Sequence, residues 1–256
     1  MVSKIETDPF ILLPSSQNKA RLRLFCFPYA GSGAGVYHRW PDNLSPEIEV
    51  CRIQYPGREN RLREKPFTSL SELVKAMTPV LRPYLDKPFA FYGHSMGSIA
   101  AFEVAREIRA EYGLNPSYFF ASGFRAPQVR LTTQIHQLPD NEFVDQLRNI
   151  YGGISDEILQ YPEIVELMLP TIRADMTMVE TYLYKEDQPF DCPFSAFGGL
   201  GDIWVSKEQL AGWKDQTNSS FDLKMFDGDH FFVKSAQEAI LKEVSAELEQ
   251  TISRVA

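Results

Sequence analysis

The apolar positions of the chain first alternate and then run together in Arg21-Leu22-Arg23-Leu24-Phe25-Cys26-Phe27-Pro28, a strand signal. Glu49-Val50-Cys51-Arg52-Ile53-Gln54-Tyr55 reads as a second strand, closed by the turn residues Pro56-Gly57. Leu70, Leu73, Val74, Met77, Val80 and Leu81 recur at spacings of three and four, which predicts an amphipathic helix capped by Thr68-Ser69. Phe89-Ala90-Phe91-Tyr92 is apolar on both faces, as the central strand of a covered parallel sheet must be. A helix is expected from Ser98 to Tyr112, ended by Gly113, and a short buried strand at Tyr118-Phe119-Phe120-Ala121. This rhythm of strand and helix predicts an α/β fold, a mostly parallel sheet with crossover helices.

The rhythm breaks between residues 132 and 190. Helical spacing takes over at Phe143, Leu147 and Ile150, then at Val165, Leu169, Ile172, Met176, Val179 and Leu183, with a kink expected at Pro170. Strand and helix signals resume with Phe194-Ser195-Ala196-Phe197, a helix near 207–216, the strand Phe221–Phe226 and a last helix from about 235 to 253. The expected organisation is therefore a core over 1–131 and 191–256, interrupted at 132–190 by a helical lid.

Composition narrows the class. Of the 256 residues, 44% are hydrophobic and 23% charged, which excludes a disordered or low-complexity chain. No apolar run approaches the roughly 18 residues needed to span a bilayer, so no membrane partner is expected. The N-terminal stretch is acidic and lacks an apolar segment of the signal-peptide kind. Cys26, Cys51 and Cys192 have no metal-like spacing and read as buried apolar residues in a reducing, cytoplasmic setting. The net charge of -8 argues against a nucleic-acid partner. Residues 19–65 nevertheless carry 9 Lys/Arg against 5 Asp/Glu, whereas 132–256 carry 9 against 22. That basic third suits either an acidic partner or ordinary solvated surface.

Gly93-His94-Ser95-Met96-Gly97 fits G-x-S-x-G, and its context fits too: an apolar strand before it, and small residues opening a helix after it. Ser95 is the candidate nucleophile. A serine hydroxyl needs a base, and the chain holds four histidines. His94 adjoins the serine and points away from it, and His38 and His136 read as surface or packing residues. His230, between the last strand and the last helix, lies where such sheets present functional groups. The orienting acid is Asp202, at the end of a buried strand, with Asp227 and Asp229 as rivals that read better as turn formers. Oxyanion donors are expected at the backbone N–H of Met96 and of Tyr29 or Ala30. The glycine-rich loop 28–33 has neither G-x-G-x-x-G nor a phosphate-loop lysine, and no residue cluster has metal-ligand spacing, so no cofactor or metal is expected.

At these residues the sequence resembles the stand-alone, type II thioesterases of nonribosomal peptide and polyketide synthetases, members of the α/β-hydrolase superfamily. The resemblance rests on Phe27-Pro28-Tyr29-Ala30-Gly31, Tyr55-Pro56-Gly57-Arg58, Gly93–Gly97, Ala121-Ser122-Gly123-Phe124-Arg125-Ala126-Pro127, Gly198–Asp202 and Gly228–Phe232. Within the insertion it extends to Leu138-Pro139-Asp140, Gly152-Gly153 and Leu169–Asp175. Ser32 stands where such proteins carry a second glycine, Asp229 replaces a glycine, and Phe124 stands where a basic residue is common. The resemblance implies hydrolysis of acyl groups from the phosphopantetheine arm of acyl- or peptidyl-carrier proteins, acting in trans to remove stalled or mis-primed units. Rival readings are a medium-chain acyl-carrier-protein thioesterase, a small-ester carboxylesterase, and an idle carrier-binding module. Arg58, Arg61 and Arg63 are candidates for docking an acidic carrier. Met168, Met176 and Met178 suit either an adaptable acyl surface or helix packing. A monomer is the default expectation.

Overall fold

The computed structural model describes residues 8–13, 19–131, 133–149 and 156–254. Seven strands, β1 (Ile11–Leu12), β2 (Leu22–Phe27), β3 (Ile48–Ile53), β4 (Phe89–His94), β5 (Tyr118–Ser122), β6 (Phe194–Gly199) and β7 (Phe221–Phe226), form one sheet. Their order is β1-β3-β2-β4-β5-β6-β7. All neighbours are parallel except β1, which runs antiparallel to β3 at the edge. Among the described residues the helices are α1 (Trp40–Asn43), α2 (Leu70–Leu81), α3 (Met96–Tyr112), α4 (Asp140–Asn149), α5 (Asp156–Leu159), α6 (Pro162–Glu180), α7 (Lys207–Ala211), α8 (Phe232–Ser235) and α9 (Gln237–Arg254). None is long and apolar enough to cross a membrane.

Alternation along the strands divides the core in two. Phe25, Phe27, Phe91 and Phe119 face α2 and α3, whereas Leu24, Cys26, Tyr92 and Phe120 share the other cluster with Ile240, Val244 and Leu248 of α9. On the first face an aromatic row crosses the sheet, with ring centroids 5.4 Å apart for Phe27–Phe91, 6.4 Å for Phe91–Phe119 and 4.7 Å for Phe119–Phe194. Trp213 closes it, 5.3 Å from Phe102 and 5.8 Å from Phe119, and its indole N–H donates to the carbonyl of Phe124 at 2.8 Å.

The six strands expected from periodicity form within one or two residues of their expected limits; β1 was not anticipated, because a two-residue strand between Pro9 and Pro14 carries no readable period. Ser69 occupies the N-cap position of α2, but its hydroxyl pairs with Ser71 Oγ at 3.0 Å instead of capping a backbone N–H. Gly113 ends α3 at φ 66°, the left-handed cap its glycine suggests. Pro170 lies inside α6 without ending it. Both Pro170 and Glu166, whose carbonyl the ring deprives of a donor, are exposed, so water can satisfy that oxygen. The chain between β5 and β6 is helical wherever it is assigned to an element; Ile150 and Gly152-Gly153 lie outside the described residues.

Because Trp213 seals one face of the sheet and fixes the backbone of Phe124, Trp213→Ala is expected to lower stability by about 3–5 kcal/mol. Urea unfolding measures this, and a loss below about 1 kcal/mol would show that the ring is not integral to the core.

Candidate active site

At the end of β4 the chain turns into α3 through Ser95, whose φ of 51° and ψ of -122° are strained for a residue with a side chain. The turn closes only because its neighbours are small. A Cβ on Gly93 would lie 2.2 Å from the carbonyl oxygen of Gly97, and one on Gly97 would lie 2.1 Å from that of Phe27. Hydrogen bonds hold the turn: Ser95 N–H donates to the Ser122 carbonyl at 2.7 Å, Ser98 N–H to the Ser95 carbonyl at 2.8 Å, and the buried Ser98 hydroxyl reaches the Gly93 carbonyl at 2.7 Å.

His230 follows β7, and the structure brings it to Ser95. Its Nε2 lies 2.9 Å from Ser95 Oγ and its Nδ1 2.8 Å from Asp202 Oδ2. Since the carboxylate only accepts, Nδ1 carries the proton and Nε2 is free to accept from the serine. The Asp202 side chain is fully buried, and its other oxygen accepts from the N–H of Trp204 at 2.8 Å and of Val205 at 3.3 Å. Asp229, a rival acid, instead accepts from Phe231 N–H at 2.8 Å as a turn former, and Asp227 is exposed.

His94 does point away from Ser95, yet it has a task that spacing alone does not reveal. Its Nε2 donates to the His230 carbonyl at 2.9 Å, so its Nδ1 must accept, and Ser122 Oγ supplies that bond at 2.9 Å. Tyr92 in turn donates to Ser122 Oγ at 3.0 Å. The buried chain thus runs from Tyr92 through Ser122 and His94 to the backbone of His230. Burial, reinforced by the neighbouring His230, holds the His94 pKa well below the usual histidine value. His94 is therefore neutral and keeps both bonds. His38 is exposed, with Nδ1 2.8 Å from the Gly35 carbonyl, and His136 pairs with Glu180 at 2.5 Å.

Ser95, Met96 and His230 border a cavity of about 370 Å³ with Tyr29 and Ala30 of the loop after β2. Met96 opens α3, so helix geometry leaves its N–H without an intrahelical partner. Leu147 of α4 and Met168, Ile172, Met176 and Val179 of α6 add apolar lining to the cavity. Met168 and Met176 thus face the cavity, whereas Met178 is buried in the main core. Phe124 lines the cavity beneath the guanidinium of Arg125, 4.6 Å from its ring centroid. Lys234 stands at the cavity over the rings of Tyr29 and Phe231, at 5.4 and 5.6 Å.

Two of the three candidate docking arginines are not on the surface. Arg58 is buried and grips Asp175 of α6 with bonds of 2.6 and 2.9 Å. Arg61 is buried over the Phe10 ring at 4.1 Å and pairs with Glu64. Only Arg63 remains exposed. Their density in the sequence suggested solvent, but the fold spends two of them inside. Asp175 and Ser122 are site residues that the sequence pattern does not single out; its one signal is an acid set among the apolar positions Ile172, Met176 and Val179 of a single helix.

Residues 22–248 match the thioesterase domain family. The gramicidin S biosynthesis protein GrsT of Aneurinibacillus migulanus is 43% identical over 230 residues, 90% of either chain. A protein named linear gramicidin dehydrogenase LgrE, of Brevibacillus parabrevis, is 40% identical over 96% of this chain and 94% of its own. Here, however, the loop Gly31-Ser32-Gly33-Ala34-Gly35 lacks the G-x-G-x-x-G of a dinucleotide site. The solved structure of the type II thioesterase BorB from the borrelidin biosynthetic cluster superposes with a TM-score of 0.83 at 34% identity, covering 94% of this chain and 98% of that one.

The depressed pKa of His94 has a sign that can be tested. The unfolded chain protonates this histidine as pH falls through about 6.5, and the folded chain resists, so stability is intact above that pH and falls below it. Between pH 7.5 and 5.5 the protein is expected to lose about 1 kcal/mol more than a His94→Gln variant. Urea unfolding at both pH values checks it; equal losses would show that His94 is protonated within the fold.

Proposed function

The chain belongs to the thioesterase family, and on that premise we propose that it is an editing enzyme which frees acyl groups from the phosphopantetheine thiol of carrier proteins in nonribosomal peptide or polyketide synthesis. The observation that carries this reading is the line Ser95–His230–Asp202, with bonds of 2.9 and 2.8 Å, at a cavity that Leu147, Met168, Ile172 and Met176 line with apolar side chains. In the proposed mechanism His230 Nε2 takes the Ser95 proton as Oγ attacks the thioester carbonyl. Asp202 holds the imidazole tautomer and stabilises the imidazolium. The oxyanion is received by the N–H of Met96 together with that of Tyr29 or Ala30. His230 then returns the proton to the departing sulfur. Water, activated by the same imidazole, attacks the acyl-serine, and the carboxylic acid leaves.

The residues over 132–190 act in this reading as a lid between core segments 1–131 and 191–256. The apolar wall from α4 and α6 supports it, because an acyl chain on a long, thin arm needs a covered chamber. The partner is a carrier protein in the cytoplasm, and the enzyme works as a monomer without metal or cofactor. The similarity to GrsT, a gramicidin S biosynthesis protein, supports the peptide-synthetase context.

The deciding experiment offers one acyl group on a carrier-protein arm, on coenzyme A and as a simple oxygen ester, each with a Ser95→Ala control. Preference for the protein-borne thioester, lost in the variant, is the expected result. Faster turnover of the free ester would favour a carboxylesterase, and a sharp optimum at medium chain length a fatty-acid thioesterase. Ser95→Ala is expected to cut kcat by about 10⁴-fold or more with the fold unchanged by circular dichroism, and Asp202→Asn by about 10⁴-fold through the wrong tautomer. Near-parent activity in either variant would remove that residue from the mechanism.

A further inference from the structure

Two sequence segments that the triad does not use, Tyr55-Pro56-Gly57-Arg58 after β3 and Leu169–Asp175 on α6, meet beside the loop that follows β2. Arg58 donates from Nη1 to Asp175 Oδ2 at 2.6 Å and from Nη2 to Oδ1 at 2.9 Å; Asp175 is fully buried and Arg58 is 5% exposed. The same Asp175 Oδ2 accepts the backbone N–H of Gly31 at 2.7 Å. Gly31 adopts φ 75°, the left-handed region, and follows directly on Tyr29 and Ala30. One turn earlier on α6, Thr171 donates to the Gly57 carbonyl at 2.6 Å, so α6 is fastened both to the loop after β2 and to the segment after β3.

We propose that Asp175, oriented by Arg58, is a positioning residue that sets the oxyanion amide of Tyr29 or Ala30. This inference rests on the proposed triad chemistry and adds to it a source for the geometry of the second donor. Burying two charges is costly, and an apolar pair would hold helix to loop at least as well. What an apolar pair lacks is an acceptor fixed in place for Gly31 N–H. The bidentate guanidinium leaves the carboxylate a single orientation, and that orientation aims Oδ2 at the loop. An oxyanion hole works only when its donors already stand where charge develops, so a loop free to shift forfeits the benefit. α6 also presents Ile172 and Met176 to the cavity, so the helix that would touch the acyl group is the one that steadies the loop.

The test compares the parent with Asp175→Asn and with the double variant R58M/D175L, in which an apolar pair preserves packing if the single change fails to fold. Two probes are used beside turnover of a short-chain acyl-coenzyme A. A trifluoromethyl ketone adds Ser95 Oγ to its carbonyl carbon, His230 taking the serine proton, and so forms a tetrahedral oxyanion; a thioether of the same chain cannot. Expected for a folded variant is a loss of about 10–100-fold in kcat, with KM within about twofold and ketone affinity falling in step. Thioether affinity should stay near the parent value in both variants; the thermal midpoint should stay near the parent in R58M/D175L and fall in Asp175→Asn, which leaves the Arg58 guanidinium buried without its carboxylate. A folded variant that keeps parental kcat and ketone affinity would overturn the proposal, as would equal weakening of ketone and thioether. A parent enzyme that fails to form the ketone adduct would instead bring down the triad reading beneath it.

Discussion

Ser95 is held at a positive φ that costs of the order of 1–3 kcal/mol, and the fold meets this cost by leaving the turn no alternative. Gly93 and Gly97 let two backbone segments approach to distances that any Cβ would block. The parallel pairing of β4 with β5 places the Ser122 carbonyl where it captures Ser95 N–H at 2.7 Å. The hydroxyl is therefore presented by the sheet itself, between two aromatic-rich core layers, and its position depends on fully buried strands. Everything else in the site is arranged around that fixed point.

Two histidines divide the remaining work by environment. His94, sealed in the core, is neutral and serves as a bridge, taking one bond from Ser122 and giving one to the backbone of His230. His230 meets Asp202 and Ser95 at the cavity wall, where a base can reach a substrate. The same side chain thus does structural service on one strand end and is placed for acid–base chemistry on another. The difference follows from which groups surround each ring and how fully water is excluded.

How far the sequence could be read follows the same physics. Periodicity is strong where a strand or helix lies against a core, so β2 to β7, α2 and α3 were legible, and β1 with two residues was not. The meeting of Ser95, His230 and Asp202 was legible because a strained turn and strand-end loops leave glycine-rich signatures in one dimension. Local sequence does not encode which charge finds which partner. Arg58 and Asp175 stand far apart in the chain, and each reads alone as an ordinary charged residue; only the packing of α6 against the segment after β3 joins them. Ser122 is silent for the same reason, a small polar residue ending an apolar strand whose bonds all cross to other strands or helices.

The site thus draws its parts from layers that differ in freedom to vary. Groups that would act on the carbonyl carbon stand at the carboxyl ends of parallel strands, where a displacement would cost core packing. The apolar lining of the cavity is Leu147, Met168, Ile172 and Met176, carried on helices outside the sheet. Methionine and leucine there accept changes of shape at little cost, so the chamber can be remodelled while the carbonyl-facing geometry stays put. Such separation would leave the reacting end free to drift against the chamber if nothing joined them. Asp175 and Arg58 join them: the carboxylate accepts from Gly31 N–H and the guanidinium reaches the Ser32 carbonyl at 3.3 Å, so the pair ties α6 to the loop beside the serine.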